Sequence, residues 1–275
     1  MVSRTLNIKY DENNKYHLFA RTIMITVISL TFFIMVWWVI SIIADISAIP
    51  TPLQTWNALV DLYVNGDTRT SISLGQYVFS SLSSFVKGVV LAFIISVPLG
   101  LVLGYSKILR DFSNPVIELL RPIAPIAWAP IFVLALGSSM GAIMVVFIGV
   151  FFPLLTNVIF GVRKIDPNWI DAAKTLGASQ LKIFYKVMIP AATPYIMNGV
   201  KVGLGIGWMC IVAAELYRFD GALPGIGFYL AQQAQNFNWP YAYAGLVIIG
   251  ILGLLTIGVA DYIHRILSKR MGMDV

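Results

Sequence analysis

Residue types that carry out covalent or metal chemistry are scarce in this sequence. The single cysteine, Cys210, lies in an apolar run and is predicted to be a small buried hydrophobic residue, so neither a disulfide framework nor a cysteine-based metal site is expected. The two histidines, His17 and His264, lie in polar flanks beside basic residues, which gives little support to a histidine-centred site. No G-x-x-x-x-G-K-[ST] phosphate loop is present. We therefore expect no catalytic, metal or cofactor site in this chain.

Ionisable side chains within or at the ends of apolar runs are better candidates, because a charge at membrane depth is costly and usually functional. Two roles are open for Glu215: an outer gate or dimer contact, or a structural role in capping backbone donors or pairing with Arg218. Two roles are also open for Lys201, which either extends to the inner membrane surface or attracts an anion.

Three large side chains are further candidates for the lining of a pathway. Trp208 and Met209 follow a glycine-rich stretch and would suit a constriction, although ordinary helix packing explains them equally well. Trp128 lies in a proline-rich run and serves either helix packing or a distorted span beside a pathway.

The composition indicates that lipid is the solvent for much of this chain. Of its 275 residues, 58% are hydrophobic and 12% are charged, and the mean hydropathy is +0.81. A soluble domain carries about 25% charged residues. Six apolar runs are long enough, or nearly long enough, to cross a bilayer: Ile23–Ile43, Val78–Leu103, Ile123–Leu136, Ala142–Phe160, Ala192–Leu216 and Ala242–Ile263. The sequence predicts an all-α polytopic bundle whose short third span, with three prolines in or beside it, is broken, tilted or partly re-entrant.

The basic residues predict the direction of these spans. Fifteen Lys and Arg residues lie before the first apolar run, after the sixth, and in the loops that follow the second and fourth. Only two lie in the loops on the opposite side, so both termini are expected in the cytoplasm. This bias explains the net charge of +6 without a nucleic-acid partner. The predicted organisation is a cytoplasmic segment 1–22, a transmembrane domain 23–265 and a cytoplasmic tail 266–275, with an outer interfacial helix at 51–64.

One predicted cytoplasmic loop, 163–190, has internal order. Asp166 and Pro167 are typical of a helix start, and the following small-residue amphipathic stretch is interrupted at Gly177. A second helical stretch contains Phe184, and Pro190 is predicted to open the next span. Two surface helices lying on the inner leaflet are the simpler interpretation.

The same loop resembles the EAA loop of permease subunits in bacterial and archaeal ABC importers, whose pattern is E-A-A-x3-G-x9-I-x-L-P. The matching residues are Asp171-Ala172-Ala173, Gly177 and Val187-Met188-Ile189-Pro190. The spacing is unchanged, with Asp for Glu, Val for Ile and Ile for Leu.

Within these importers the sequence looks most similar to permeases for nitrate, sulfonates such as taurine and related small anions. The stretches at 121–130, 151–153, 172–178, 208–216 and 225–227 carry this resemblance. Two departures bear on the substrate: Ser84 stands where that group often has arginine, and 220–224 forms an apparent insertion.

The resemblance implies a type I importer permease in the cell membrane of a bacterium or archaeon. It implies a homodimer that works with an external substrate-binding protein and with ABC ATPase subunits, which bind ATP and Mg. The implied ATPase-coupling residues are Asp171, Ala172, Ala173, Lys174, Gly177, Ala178, Phe184 and Pro190. In this family the loop docks in a groove of the ATPase, where the alanines permit close contact and Gly177 provides a bend.

Two other classes of protein require features that can be compared with the sequence. A secondary transporter or channel would show inverted repeats and several charges at mid-membrane, and the sequence shows neither. A membrane enzyme would need a cluster of carboxylates, histidines or a nucleophile–base pair, which the two terminal histidines do not supply.

Overall fold

The computed structural model describes residues 15–44, 46–217 and 221–270, and the side chains of 21–44, 46–217 and 221–269. Across these ranges every regular element is helical, and only an isolated bridge joins Asp67 and Ile72. The predicted all-α class is therefore confirmed. The helices are α1 (Lys15–Ala44), α2 (Pro52–Asn65), α3 (Leu74–Tyr105), α4 (Lys107–Leu120), α5 (Ala129–Leu136), α6 (Ser138–Arg163), α7 (Pro167–Thr175), α8 (Gln180–Ile183), α9 (Ile189–Glu215), α10 (Ile226–Gln235) and α11 (Trp239–Arg270).

Five helical segments in the described ranges are long and apolar enough to cross a membrane, and a bent pair supplies a sixth candidate. The bent pair is Lys107–Leu120 with Pro125–Leu136, which meet at 78°. The predicted break in the third span is thereby confirmed. It falls where Pro122 and Pro125 remove backbone donors, so that a short 3-10 turn replaces the α-helix before α5.

Pro190 lies in the first turn of α9, as the sequence predicts, but α9 is not a separate helix. The helix is continuous from Gln180 to Glu215 and passes through a π-helical turn at Phe184–Met188. In this turn the Ile189 N–H donates to the Phe184 carbonyl, five residues back. The wider turn adjusts the helix just before Pro190, which has no N–H to donate.

The centre of the bundle is α6, packed between α3 and α9 through small residues. A Cβ added at Gly88, Gly100 or Gly104 of α3 would lie within 2.6–2.7 Å of a valine of α6. A Cβ added at Gly199 or Gly203 of α9 would lie 2.8–2.9 Å from side chains of α6. Glycine at these positions lets the backbones approach closely, as in other helix pairs within membranes.

A small cluster, called the outer cluster after the expected position of α2, lies at the end of the bundle where α9 finishes and α10 and α11 begin. The predicted helix at 51–64 is present as α2, and Thr51 and Gln54 form a capping box at its start. Leu62 of α2, Tyr77 of α3 and Tyr229 of α10 are each 1% exposed and form the core of this cluster.

Candidate functional site

The segment with the EAA-like residues folds into a short helix with defined ends. The Asp166 carboxylate accepts a hydrogen bond from the Asn168 backbone N–H at 2.9 Å, and Pro167 occupies the first turn of α7. At the other end Gly177 has φ of +76°, a left-handed conformation that glycine adopts without strain. Its N–H donates to the Lys174 carbonyl at 2.9 Å, and the Ala178 N–H donates to the Ala173 carbonyl at 3.0 Å. These two bonds form a Schellman motif, which ends α7.

The two faces of α7 have different environments. Ile170 and Ala173 pack inward against the hydrophobic cluster that includes Ile183 and Met188. On the outward face Trp169, Ala172 and Leu176 form an apolar stripe, with Trp169 58% and Leu176 87% exposed. Small Ala172 lies between two large side chains, so the stripe has a depression at its middle.

The remaining predicted coupling residues surround this stripe. Asp171 and Lys174 form an exposed ion pair with an N–O distance of 3.0 Å. Phe184 and Ala178 are half-buried and pack against the same cluster as Ile170, while Pro190 is half-buried at the start of α9. The predicted residues therefore share one end of the bundle.

Glu215 lies at the opposite end of α9 and connects three helices. Its carboxylate accepts hydrogen bonds from the Ser81 hydroxyl of α3 at 2.6 Å and from the Gly227 backbone N–H of α10 at 2.7 Å. The Ser81 oxygen in turn accepts from the Ile226 N–H at 2.8 Å. A negative charge beside the free N–H groups of a helix start is favourable. Glu215 thus caps backbone donors, one of the two roles left open; Arg218 lies outside the described residues.

Lys201 has a partner that the sequence reasoning missed. Its ammonium group forms an ion pair with the carboxylate of Asp261 in α11 at 2.5 Å, and both side chains are partly exposed. An ion pair of this kind reduces the cost of holding either charge at membrane depth. Lys201 is therefore bonded to a neighbouring helix, and neither role expected from sequence describes its contact.

The aromatic candidates divide between packing and exposure. Trp208 is 5% exposed, stacks on Phe85 with ring centroids 4.5 Å apart and donates from its indole nitrogen to the Thr256 hydroxyl at 2.9 Å. Trp128 is half-buried and stacks on Phe132, and its indole N–H has no hydrogen-bond partner among the described residues. Of the two roles open for Trp208, its contacts are those of helix packing.

Met209, in contrast, is 73% exposed and lies on a face of α9 that the rest of the described chain leaves open. This open face also contains Asn198, Val202 and Gly205. These residues recur at intervals of three and four, so they line one side of the helix. Met209 alone of the α9 candidates is accessible along it.

A cavity of about 270 Å³ lies beside this face, between the break in the third span, α6 and α9. Arg121, Thr156, Asn157, Val202 and Ile206 are among its lining residues, and no carboxylate lines it. The Arg121 guanidinium forms no hydrogen bond or ion pair with the part of the chain that the structure describes. Arg121 is one of the fifteen basic residues that predict the topology and begins the resemblance stretch 121–130, but no cavity was expected beside it; its position directly before Pro122 and the helix break was the available signal.

Comparison with known proteins identifies the family. Residues 96–273 match the family described as binding-protein-dependent transport system inner membrane component. The chain belongs to this family.

Three relatives show how far the similarity extends. A protein of Methanocaldococcus jannaschii that carries the name of an ABC transporter permease is 40% identical over 64% of this chain and 65% of its own length. The taurine transport system permease protein of Escherichia coli is 29% identical over 86% of each chain. The nitrate import permease protein of Synechocystis is 31% identical over 81% of each chain.

The solved structures support the fold. An inward-facing structure of the MetNI methionine ABC transporter matches 70% of this chain and 95% of its own matched chain, with a TM-score of 0.61 and 20% identity. The expected ABC importer permease fold and multi-pass membrane location are confirmed. The chain is a membrane subunit of this importer class.

Proposed function

We propose that this permease transmits ATP-driven movement from an ABC ATPase docked on α7 to a pathway along α9. The observation that carries the proposal is the exposed apolar stripe of Trp169, Ala172 and Leu176 on a helix whose other face packs into the core. Exposed apolar surface of this kind marks an interaction site. In this proposal α7 and both termini are cytoplasmic, which the uneven distribution of basic residues supports.

The contacts of α7 suit a docking element. Small Ala172 permits a partner side chain to enter between Trp169 and Leu176, and the exposed Asp171–Lys174 pair is accessible to charges across an interface. The ATPase subunits bind the ATP and Mg, and closure of two of them on each other moves the docked helices.

Continuity of the helix explains how movement reaches the membrane. α7 contacts the cluster formed around Ile183 and Met188, and the helix that holds these residues extends without a break to Glu215. A displacement at α7 therefore tilts α9, whose outer end is bonded to α3 and α10 through the Glu215 carboxylate. Rigid-body tilting between inward-open and outward-open states needs no chemistry in this chain.

The open face of α9 supports a pathway shared by two copies of the chain. Asn198, Val202, Gly205 and Met209 have no covering partner within the described part of one subunit. A homodimer would bring two such faces together around a central axis. An external substrate-binding protein delivers the solute at the end opposite α7.

The substrate class that we propose is a small anion. The names of the similar permeases refer to taurine and nitrate, and the cavity beside α9 contains Arg121 and no acidic lining residue. A guanidinium group in partly apolar surroundings attracts oxyanions strongly, because it donates in a planar fork.

The proposal is tested by reconstituting the permease with the ATPase and binding protein of the same operon, in nanodiscs and in proteoliposomes. Substrate-loaded binding protein should stimulate ATP hydrolysis, and taurine or nitrate uptake should require ATP. Ala172→Trp should abolish ATPase association, because an exposed bulky side chain fills the depression without disturbing the core of the permease. Ala172→Ser is the matched control and should retain association.

Thermal unfolding of the purified permease separates docking from folding. The two variants should have the same thermal midpoint, since residue 172 is exposed. Unchanged association and uptake in Ala172→Trp would show that α7 is not the docking element. ATP-independent uptake would instead support a secondary transporter or channel.

A further inference from the structure

A polar recess of about 200 Å³ lies in the outer cluster, at the end of the bundle opposite α7. It is formed by α2, the turn that follows it, α10 and the start of α11. Its lining includes Asp61, Asp67, Arg69, Tyr229 and Tyr241. The two carboxylates and one guanidinium leave the recess with one net negative charge.

The two carboxylates are held in place by hydrogen bonds from this chain. Asp67 is 5% exposed and accepts from the Tyr77 hydroxyl at 2.9 Å, the Thr70 hydroxyl at 2.9 Å and the Arg69 backbone N–H at 3.0 Å. Asp61 accepts from the Tyr241 hydroxyl at 2.7 Å, and this bond, followed by one from Asn65, lowers the pKa of its carboxyl. Hydrogen bonds to the charged form favour ionisation, so Asp61 stays negative at neutral pH.

The hydroxyl of Tyr229 is the unusual group in this recess. Tyr229 is 1% exposed, and its hydroxyl has no hydrogen-bond partner within the described ranges. A buried polar group without a partner is unfavourable, and native structures contain few of them. Burial, with the nearby Asp67 carboxylate second, raises the pKa of Tyr229 above its ordinary range, so the group is a neutral hydroxyl. Its oxygen is free to accept a hydrogen bond from an incoming donor.

We propose that this recess receives a lysine or arginine side chain of the substrate-binding protein. The Asp61 carboxylate supplies the charge, the Tyr229 hydroxyl accepts a hydrogen bond, and the partly exposed Tyr241 ring provides aromatic surface. Ammonium and guanidinium groups bind favourably to such combinations of carboxylate and aromatic surface. The inference rests on the proposed function, which places the binding protein at this end of the bundle.

The size and position of the recess favour a basic side chain over a bare ion. A volume near 200 Å³ exceeds what a single metal ion fills and accommodates the end of a long side chain. The recess also lies beyond the end of α9 and is formed partly by α10. The Glu215 carboxylate joins the start of α10 to α3 and α9. Docking here would therefore act on α10, which the Glu215 carboxylate links to α3 and α9.

The experiment measures ATP hydrolysis by the permease–ATPase complex in neutral phosphatidylcholine nanodiscs as loaded binding protein is titrated. Asp61→Asn should raise the half-saturating concentration of binding protein about tenfold, as expected for loss of one charged partner. Tyr229→Phe should raise it about fivefold, as expected for one neutral hydrogen bond, without lowering the thermal midpoint. Both variants should reach the wild-type maximal rate at saturating binding protein. Asp111→Asn, on exposed α4, is the matched control and should behave as wild type.

A second arm titrates the purified permease with methylguanidinium by calorimetry; wild type should bind it weakly, and Asp61→Asn should abolish that binding. An unchanged half-saturating concentration in Asp61→Asn overturns the proposal. Methylguanidinium binding without any effect on docking also overturns it and assigns the recess to a free organic cation. If wild type shows neither stimulation by the binding protein nor methylguanidinium binding, both the proposed function and this inference fail; stimulation without an Asp61 effect refutes the inference alone.

Discussion

Replacement of Gly177 tests how the end of α7 controls coupling. The residue has φ of +76°, and a Cβ added to it would contact nothing within 4 Å. A substitution here therefore changes the backbone preference without a steric clash. Asparagine tolerates the left-handed region, alanine is strained there, and proline cannot adopt it.

The magnitudes follow from the two hydrogen bonds of the turn. The bonds made by the N–H groups of Gly177 and Ala178 contribute about 1 kcal/mol each. The left-handed conformation costs alanine about 1–2 kcal/mol, so the turn remains roughly half populated or more and docking weakens about twofold. Proline cannot adopt this φ and has no N–H to donate, so the turn is lost and docking should weaken far more than in Gly177→Ala, by about tenfold or more.

The assay is binding of the ATPase to permease in nanodiscs, combined with ATP hydrolysis stimulated by the binding protein. We expect ATPase binding and stimulated hydrolysis to be highest in wild type, nearly as high in Gly177→Asn, lower in Gly177→Ala and lowest in Gly177→Pro. Gly250→Ala is a matched control, because Gly250 also has open space around it but has no positive φ. If Gly177→Pro couples as well as wild type, or Gly177→Asn is as poor as Gly177→Pro, the turn geometry does not control docking.

Two further predictions concern packing and charge inside the bundle. A Cβ at Gly149 would clash with the Cys210 sulfur but would lie 3.4 Å or more from other atoms, so Gly149→Ala should lower the thermal midpoint and the added change Cys210→Ala should restore much of it. Unimproved stability in the double variant would show that the clash is not with sulfur. Lys201→Met or Asp261→Asn alone should each destabilise the permease more than the two changes together, so the double-mutant cycle should show coupling between the two residues. Additive losses in that cycle would mean that the ion pair contributes nothing.

Features governed by residues close together in the chain were predictable from sequence. The apolar runs predicted the spans, and prolines near 122–130 predicted the broken one. Asp166, Pro167 and Gly177 predicted both ends of α7, because capping and left-handed turns depend on a few adjacent residues. The family pattern was detectable for the same reason, since its residues lie within one continuous segment.

Pro190 lies in the first turn of α9, as local reasoning predicts, but local reasoning does not predict that the preceding helical stretch joins α9 without a break. The π-helical turn that precedes it keeps the helix continuous. The residues of this stretch, with two prolines and a π turn, do not by themselves determine whether the helix is continuous or interrupted. Packing of Met188 and neighbouring side chains against α6 accompanies the continuous form.

Contacts between helices were decided only by the tertiary structure. Ser81 and Glu215 are 134 residues apart, Trp208 and Thr256 are 48 apart, and Lys201 meets Asp261 across two spans. Hydropathy and capping predict which segments are helical, but they do not predict how the helices rotate and slide against each other. That register is set by the glycines of α3 and α9 fitting against the side chains of α6, and it alone brings these polar groups together.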